Sequence, residues 1–155
     1  MLKEHNDVSK LATGLSRVER RHKRFMNRAL AEKGIPGIPY TYVTVIKNNP
    51  GVNQDHIADI QGVDKSRVAR IIRSLELEGY LSRTPHPGDR RNYQINLTDK
   101  GKELCILIEQ CAEEWATLIS KGIEQSELSI MVHTMEKIIQ NLDEYGYRRK
   151  ARQNG

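Results

Sequence analysis

The sequence predicts a mainly α-helical fold of six helices with one small β-hairpin. Apolar residues recur at three- and four-residue steps through most of the 155-residue chain, which is the spacing of amphipathic helices. Two short segments alternate apolar and polar residues around a turn that contains Pro and Gly, as hairpins do. No apolar run approaches the roughly 20 residues of a bilayer span, and two cysteines cannot form a disulfide framework. We therefore expect one cytoplasmic domain over residues 1–155, without a membrane partner.

The first helix is predicted over residues 8–30, where His22 takes one position of an otherwise apolar seam. Gly34 ends this helix, and two prolines and a glycine make residues 35–39 a bent linker. A short second helix follows over Tyr40–Asn48 and stops at the Asn-Pro-Gly sequence after it. The seam of the first helix comprises Val8, Leu11, Leu15, Val18, Phe25, Met26 and Ala29.

The next two helices have clear boundary signals. Asn53 can cap a third helix, and Gly62 closes it, because glycine readily adopts the left-handed conformation that ends many helices. Asp64 can cap a fourth helix over residues 65–78, which Gly79 ends. The two helices are therefore separated by a very short turn.

The hairpin and two long helices complete the chain. Residues 80–83 and 93–97 alternate as short strands, and residues 85–89 form a long turn between them. The fifth helix is predicted to start at Thr98 and the sixth to start after Ser126.

Three residues in the third and fourth helices have the spacing of a helix-turn-helix. Ala58 is small enough to let two helices cross closely, Gly62 permits a positive φ at the turn, and Val68 packs between the helices. The pattern predicts that the fourth helix is held at a sharp angle, with one face buried and the other exposed.

The outer face of the fourth helix is cationic. Its two acids, Glu76 and Glu78, lie at the C-terminal end, whereas a solvated surface helix usually mixes charge signs at i,i+4 spacing. A helix in the DNA major groove needs such a face, because its N-terminal end reaches base edges while phosphates flank it. The candidate DNA-contacting residues of this face are Lys65, Ser66, Arg67, Arg70, Arg73 and Ser74.

The hairpin tip adds Asp89, Arg90 and Arg91 directly after Gly88. Arginine suits the narrow, strongly negative minor groove. We interpret Asp89 as a brace that pairs with an arginine and fixes the tip. The alternative is a mobile polar hairpin without a DNA contact.

Together these motifs resemble the winged helix-turn-helix of the MarR family of bacterial transcriptional regulators. They cover about residues 40–104, and the order of six helices and a wing extends the resemblance across nearly the whole chain. The motifs are Val52-Asn53-Gln54, Ile57-Ala58, Gly62-Val63-Asp64-Lys65-Ser66-Arg67-Val68, Leu75-Glu76, Gly79-Tyr80-Leu81, Arg83, Pro87-Gly88-Asp89-Arg90-Arg91 and Leu97-Thr98-Asp99-Lys100-Gly101.

The resemblance implies a DNA-binding lobe over about residues 40–100, with residues 1–34 and 120–147 as dimerisation helices. It also implies that Ser66, Arg67 and Arg70 read the major groove. By the same resemblance Arg91, together with Arg90, enters the minor groove, and Asp89 orients an arginine. Many relatives have a small hydroxylated residue where this chain has Arg67, so operator preference cannot be transferred from any of them.

The function expected is a sequence-specific regulator that binds double-stranded DNA as a homodimer. We expect a repressor of a pseudo-palindromic operator, relieved by a small aromatic or anionic effector, as in many relatives. The alternative is a non-specific, nucleoid-type DNA-binding protein. An enzyme is not expected, because the sequence has no phosphate loop or nucleophile elbow.

No cofactor or metal site is expected, since the five histidines are scattered along the chain. Cys105 and Cys111 are six residues apart on a helix and point in different directions, which favours structural over redox roles. An effector site would be lined by His22, Tyr40, Tyr42 and Trp115, although core packing explains each of these residues equally well.

Overall fold

The computed structural model describes the backbone of residues 2–86 and 89–153, and the side chains of residues 6–85 and 93–145. The predicted order of six helices and one hairpin is confirmed. The elements are α1 (Leu2–Glu32), α2 (Tyr40–Asn48), α3 (Gln54–Gln61), α4 (Lys65–Leu77), β1 (Leu81–His86), β2 (Asp89–Leu97), α5 (Asp99–Ser120) and α6 (Gln125–Gln153).

The strands are longer than predicted, and the expected turn over residues 85–89 is wrong. Proline is tolerated in β1 because a two-stranded sheet has only edge strands, and Pro85 pairs with Tyr93. The register then shifts, and His86 pairs with Asp89, so β2 is bulged at its start. Asp89, Arg90 and Arg91 therefore have their backbone in β2 rather than in a loop.

The start of β1 and the end of α4 also differ from prediction, for a local reason. Gly79 has φ 79°, and its N–H donates to the Glu76 carbonyl at 2.9 Å. The Tyr80 N–H donates to the Leu75 carbonyl at 2.9 Å. This pattern closes a helix at its C-terminal end, so Tyr80 belongs to the helix stop and the strand begins one residue later.

The chain divides into two compact units, with the boundary after Trp115. The hydrophobic core lies in the first unit and combines residues from α1, α2, α3, α4, the hairpin and α5. Its fully buried side chains are Met26, Leu30, Val43, Ile46, Ile57, Val68, Ile72, Leu75, Ile95, Leu104 and Cys111.

A short segment before α3 attaches the hairpin to the helices. Val52 forms an antiparallel bridge with Ile95 of β2, and the Ile95 N–H donates to the Val52 carbonyl at 3.0 Å. The Gly51 N–H donates to Oδ1 of Asn96 at 2.8 Å. These bonds fix the base of the hairpin beside the start of α3.

Within the second unit, α6 exposes many large apolar side chains. None of the helices in residues 2–86 and 89–153 has the length and apolarity that a bilayer crossing needs. The exposed apolar side chains of α6 are Ile130, Met131, Val132, Ile139, Leu142 and Tyr145.

Candidate nucleic-acid interface

The helix-turn-helix predicted from Ala58, Gly62 and Val68 is confirmed. Oδ1 of Asn53 accepts the His56 N–H at 2.8 Å, which caps α3. Gly62 has φ 62° and ends that helix in the left-handed conformation. Ala58 and Val68 are buried in the angle between α3 and α4.

Asp64 fixes the start of α4 through two short hydrogen bonds. Its Oδ1 accepts the Ser66 hydroxyl at 2.5 Å and the Arg67 N–H at 2.8 Å. These donors, the hydroxyl first, hold the pKa of the Asp64 carboxyl below its ordinary value, because they stabilise the charged form. The negative cap sits at the positive end of the helix dipole, so the first turn of α4 is well defined.

All six candidate residues of α4 are exposed on its outer face, while Val68, Ile72 and Leu75 are buried on the inner face. An acid of the neighbouring helix α3 pairs with one of these residues. Nζ of Lys65 lies 2.8 Å from Oδ2 of Asp55 on α3, a contact that depends on how the helices cross.

The two serines of the outer face are also engaged. Ser66 donates to Asp64, and the Ser74 hydroxyl donates to Oε1 of Glu78 at 3.0 Å. Arg67, Arg70 and Arg73 form no ion pair with any carboxylate among the described side chains. These three arginines are therefore the cations of α4 that are available to a polyanion.

An ion pair that sequence reasoning missed joins α4 to the hairpin. Nη2 of Arg83 on β1 lies 2.7 Å from Oε2 of Glu76. Nε of Arg83 is buried, and it has no hydrogen-bond partner among the described residues. No periodicity signals such a pair, because its two residues belong to different elements.

Three residues that carry the family resemblance join the end of α4 to the start of α5. The Thr98 hydroxyl donates to the Gly79 carbonyl at 2.6 Å and accepts the Gly101 N–H at 3.1 Å. Nζ of Lys100 donates to the Glu78 carbonyl at 2.7 Å and lies 4.4 Å from the centroid of the Tyr80 ring. Lys100 thus satisfies a carbonyl that the helix end leaves free.

The side chains of Asp89, Arg90 and Arg91 lie outside the described residues. Their backbone belongs to β2. The minor-groove contact of Arg90 and Arg91, and the bracing role of Asp89, stay predictions.

A cavity of about 440 Å³ lies within the first unit, between α1, α2 and α5. Among the residues expected at an effector site, His22 and Tyr40 line it. A second cavity of about 590 Å³ is lined by His22, Tyr40 and Tyr42, while the Trp115 ring centroid lies 5.2 Å from that of His22. The remaining lining residues of the first cavity are Met26, Thr41, Thr44, Lys47, Asn48, Cys105, Ile108, Glu109 and Ala112.

Both cysteines are buried as free thiols, as predicted. Burial raises the pKa of the Cys105 and Cys111 thiols, because a thiolate is poorly solvated there. No group of histidine, cysteine and acidic residues in the described part of the chain could hold a metal ion.

The structure thus has a helix-turn-helix whose second helix is cationic and exposed, and a hairpin is attached beside it. These features define the winged helix-turn-helix class of DNA-binding proteins. A family model described as the MarR family matches residues 33–92. This match, together with relatives and solved structures described as MarR regulators, supports the assignment of the chain as a MarR-family winged-helix transcriptional regulator.

Individual relatives agree with this assignment. The chain is 28% identical over 109 residues to the uncharacterized HTH-type transcriptional regulator YybA of Bacillus subtilis (strain 168), covering 68% of this chain and 73% of that protein. A MarR transcriptional regulator from Methanosarcina mazei Go1 superposes with a TM-score of 0.75 at 27% identity, covering 86% of this chain and 96% of that one. A MarR-type protein from Listeria monocytogenes, solved in complex with 26-mer DNA, shares the fold with a TM-score of 0.76 at 23% identity, covering 90% and 93%.

Proposed function

We propose that the protein is a dimeric repressor that binds a pseudo-palindromic operator in double-stranded DNA and is released by a small effector. The observation that carries the proposal is the division of α4 into a buried apolar face and an exposed face with three unpaired arginines. Such a helix can enter the major groove without exposing apolar surface. We propose no catalytic activity.

The contacts of α4 divide into two kinds. Arg67 and Arg70 lie in the first half of the helix, where a recognition helix reaches base edges, and arginine recognises guanine through two hydrogen bonds. Arg73 lies towards the C-terminal end of the helix and suits a phosphate. Ser66 keeps its lone pairs free as acceptors, because its hydroxyl already donates to Asp64. The DNA complex of the Listeria monocytogenes protein supports this use of the fold.

Dimerisation is supported by apolar surface in both units. In α1, Val8 is 66% exposed and Val18 is 52% exposed, while in α6 Met131 is 59% exposed and Leu142 is 62% exposed. Such side chains are costly to leave in water in a stable monomer. A two-fold dimer would place two recognition helices about 34 Å apart on one side of the duplex, which predicts a pseudo-palindromic site.

The effector proposal is supported by the cavity of about 440 Å³, a size that holds a small organic molecule. His22 and Tyr40 offer aromatic contacts, and an anionic group would compete with Glu109 for the Lys47 ammonium group at the cavity wall. An aromatic acid fits this combination.

The first test is selection of genomic fragments with the purified protein, followed by affinity measurements on the selected site and on random DNA at one salt concentration. A specific regulator should prefer its site by at least about 10³-fold. A ratio near one would establish the non-specific, nucleoid-type alternative. Repeating the measurement with aromatic acids tests the effector, which should weaken operator binding.

The second test uses Arg70→Ala. Loss of a base contact should cost about 1–3 kcal/mol on the operator and less on random DNA. Lys102→Ala, which removes an exposed cation of α5, is the control and should change neither affinity. Equal losses on both DNAs would show that Arg70 contacts phosphate rather than a base.

A further inference from the structure

One face of α1 consists of arginines. At about 100° per residue, five of them fall within an arc of about 100° round the helix, and all five side chains are exposed. Successive members are one to four residues apart, so the guanidinium groups form a continuous band about 16 Å long. This arginine stripe comprises Arg17, Arg20, Arg21, Arg24 and Arg28.

Most of the stripe has no counter-charge. Arg28 pairs with Glu32 at 2.8 Å, but the other four arginines form no ion pair with any carboxylate among the described side chains. The one acid within residues 8–31, Glu19, lies on the opposite side of the helix and lines the cavity beside Tyr40. A face that served only solubility would mix charge signs at i,i+4 spacing.

The stripe contributes nothing to the core. Met26, Ala29 and Leu30 are the buried residues of α1, and they lie away from the arginines round the helix. Arginine presents a planar fork that matches the oxygens of a phosphate group, and it does so better than lysine. A row of exposed and mostly unpaired arginines is thus suited to a phosphate backbone.

One edge of the stripe adjoins a cavity that α4 also lines. Lys23 and Asn27 of α1 line one cavity of about 590 Å³ together with Arg67 and Ile71 of α4. Lys23 is about 60° from Arg20 round α1. Lys23 and Arg67 therefore place positive charge on the wall of this cavity, between the outer face of α4 and the stripe, with Glu19 as the one acid among its lining residues.

We propose that the arginine stripe binds phosphates of the duplex that flank the operator, an inference that rests on the proposed function. The contact lengthens the DNA footprint on each side and adds affinity that does not depend on sequence. Each phosphate contact contributes about 0.9 to the slope of log affinity against log salt. Two arginines therefore account for a slope of about 1.8, or roughly a tenfold loss of affinity between 50 and 200 mM salt.

The test compares three duplexes: an operator core of about 20 base pairs, the same core with random-sequence flanks, and a random-sequence core of equal length. The stripe variant is Arg20→Gln with Arg24→Gln, since glutamine keeps helix propensity. The control variant is Lys102→Gln with Lys121→Gln, which removes the same charge from exposed positions on α5 and in the turn before α6. Fluorescence anisotropy gives the affinity and the salt slope for each pair.

The wild type and the control variant should both bind the flanked duplex with a steeper salt slope than the core. The stripe variant should lose this difference while keeping its affinity for the operator core. A stripe variant that keeps the full flank effect, or one that loses equally on core and flanked DNA, would overturn the inference. The inference would also be overturned if the stripe bound a second, separate duplex and that binding did not depend on the flanks of the operator. Failure of the proposed function appears separately, as equal affinity for the operator core and the random core.

Discussion

Gly101→Ala should destabilise the protein, although Gly101 lies in the first turn of a helix, where alanine is ordinarily the better residue. A Cβ built at Gly101 would lie 2.1 Å from the Tyr80 carbonyl oxygen and 3.2 Å from Cδ2 of Leu97. The carbonyl cannot give way easily, because it accepts the Thr98 N–H at 3.1 Å and follows directly on the end of α4. The close approach of α5 to that carbonyl therefore requires glycine.

The expected cost follows from three contributions. Forcing a methyl group into a packed site costs about 1–3 kcal/mol, and weakening the Thr98–Tyr80 hydrogen bond costs about 1 kcal/mol more. The higher helix propensity of alanine offsets up to about 1 kcal/mol of this destabilisation. The net loss is about 2 kcal/mol, which for a chain of this size lowers the Tm by roughly 4–8 °C.

Gly14→Ala is the matched control, because Gly14 also lies inside a helix but has no heavy atom within 4 Å of an added Cβ. It should stabilise the protein by about 0.5–1 kcal/mol. Urea unfolding followed by circular dichroism measures both variants. If Gly101→Ala were as stable as the wild type, the close packing of Tyr80 on α5 would be refuted.

Three further outcomes are expected. Arg91→Ala should weaken operator binding by about 1–3 kcal/mol with an unchanged urea midpoint; an unchanged affinity would remove the hairpin from the interface. Because the pKa of Asp64 is lowered in the folded state, its stabilising effect is present above the ordinary value of 3.8 and is lost as pH falls through the folded value. Asp64→Asn keeps the cap, so its urea midpoint should fall less on acidification than that of the wild type; parallel falls would contradict the cap. Cys105 and Cys111 should react slowly with iodoacetamide in the native protein and fast in urea, because burial raises their pKa; mass spectrometry showing rapid native modification would disprove their burial.

The parts of the fold predicted correctly from sequence rest on signals between residues close in the chain. The caps at Asn53 and Asp64 and the turn at Gly62 need only a few consecutive residues, and the structure confirms all three. The buried face of α4 follows from its 3.6-residue period. The helix-turn-helix was predictable because its constraints are almost all local.

The parts that were missed depend on how elements are oriented to one another. The Lys65–Asp55 and Arg83–Glu76 ion pairs each join two elements, and helical periodicity carries no information about such contacts. The strand lengths were wrong because the register shift after Pro85 is set by pairing across the hairpin, not by the alternation of either strand.

The segment Thr98-Asp99-Lys100-Gly101 carries part of the family resemblance. Its structural role is to hold the C-terminal end of α4 in place. Thr98 and Lys100 bind the two carbonyls at the C-terminal end of α4, those of Gly79 and Glu78, and Gly101 lets α5 approach the next carbonyl. The end of α4 opposite to its Asp64 cap is therefore held by the start of α5, and Glu76 near that end is held by β1. Both ends of α4 are fixed by groups outside its cationic face, so Arg67, Arg70 and Arg73 stay exposed while the helix keeps its position.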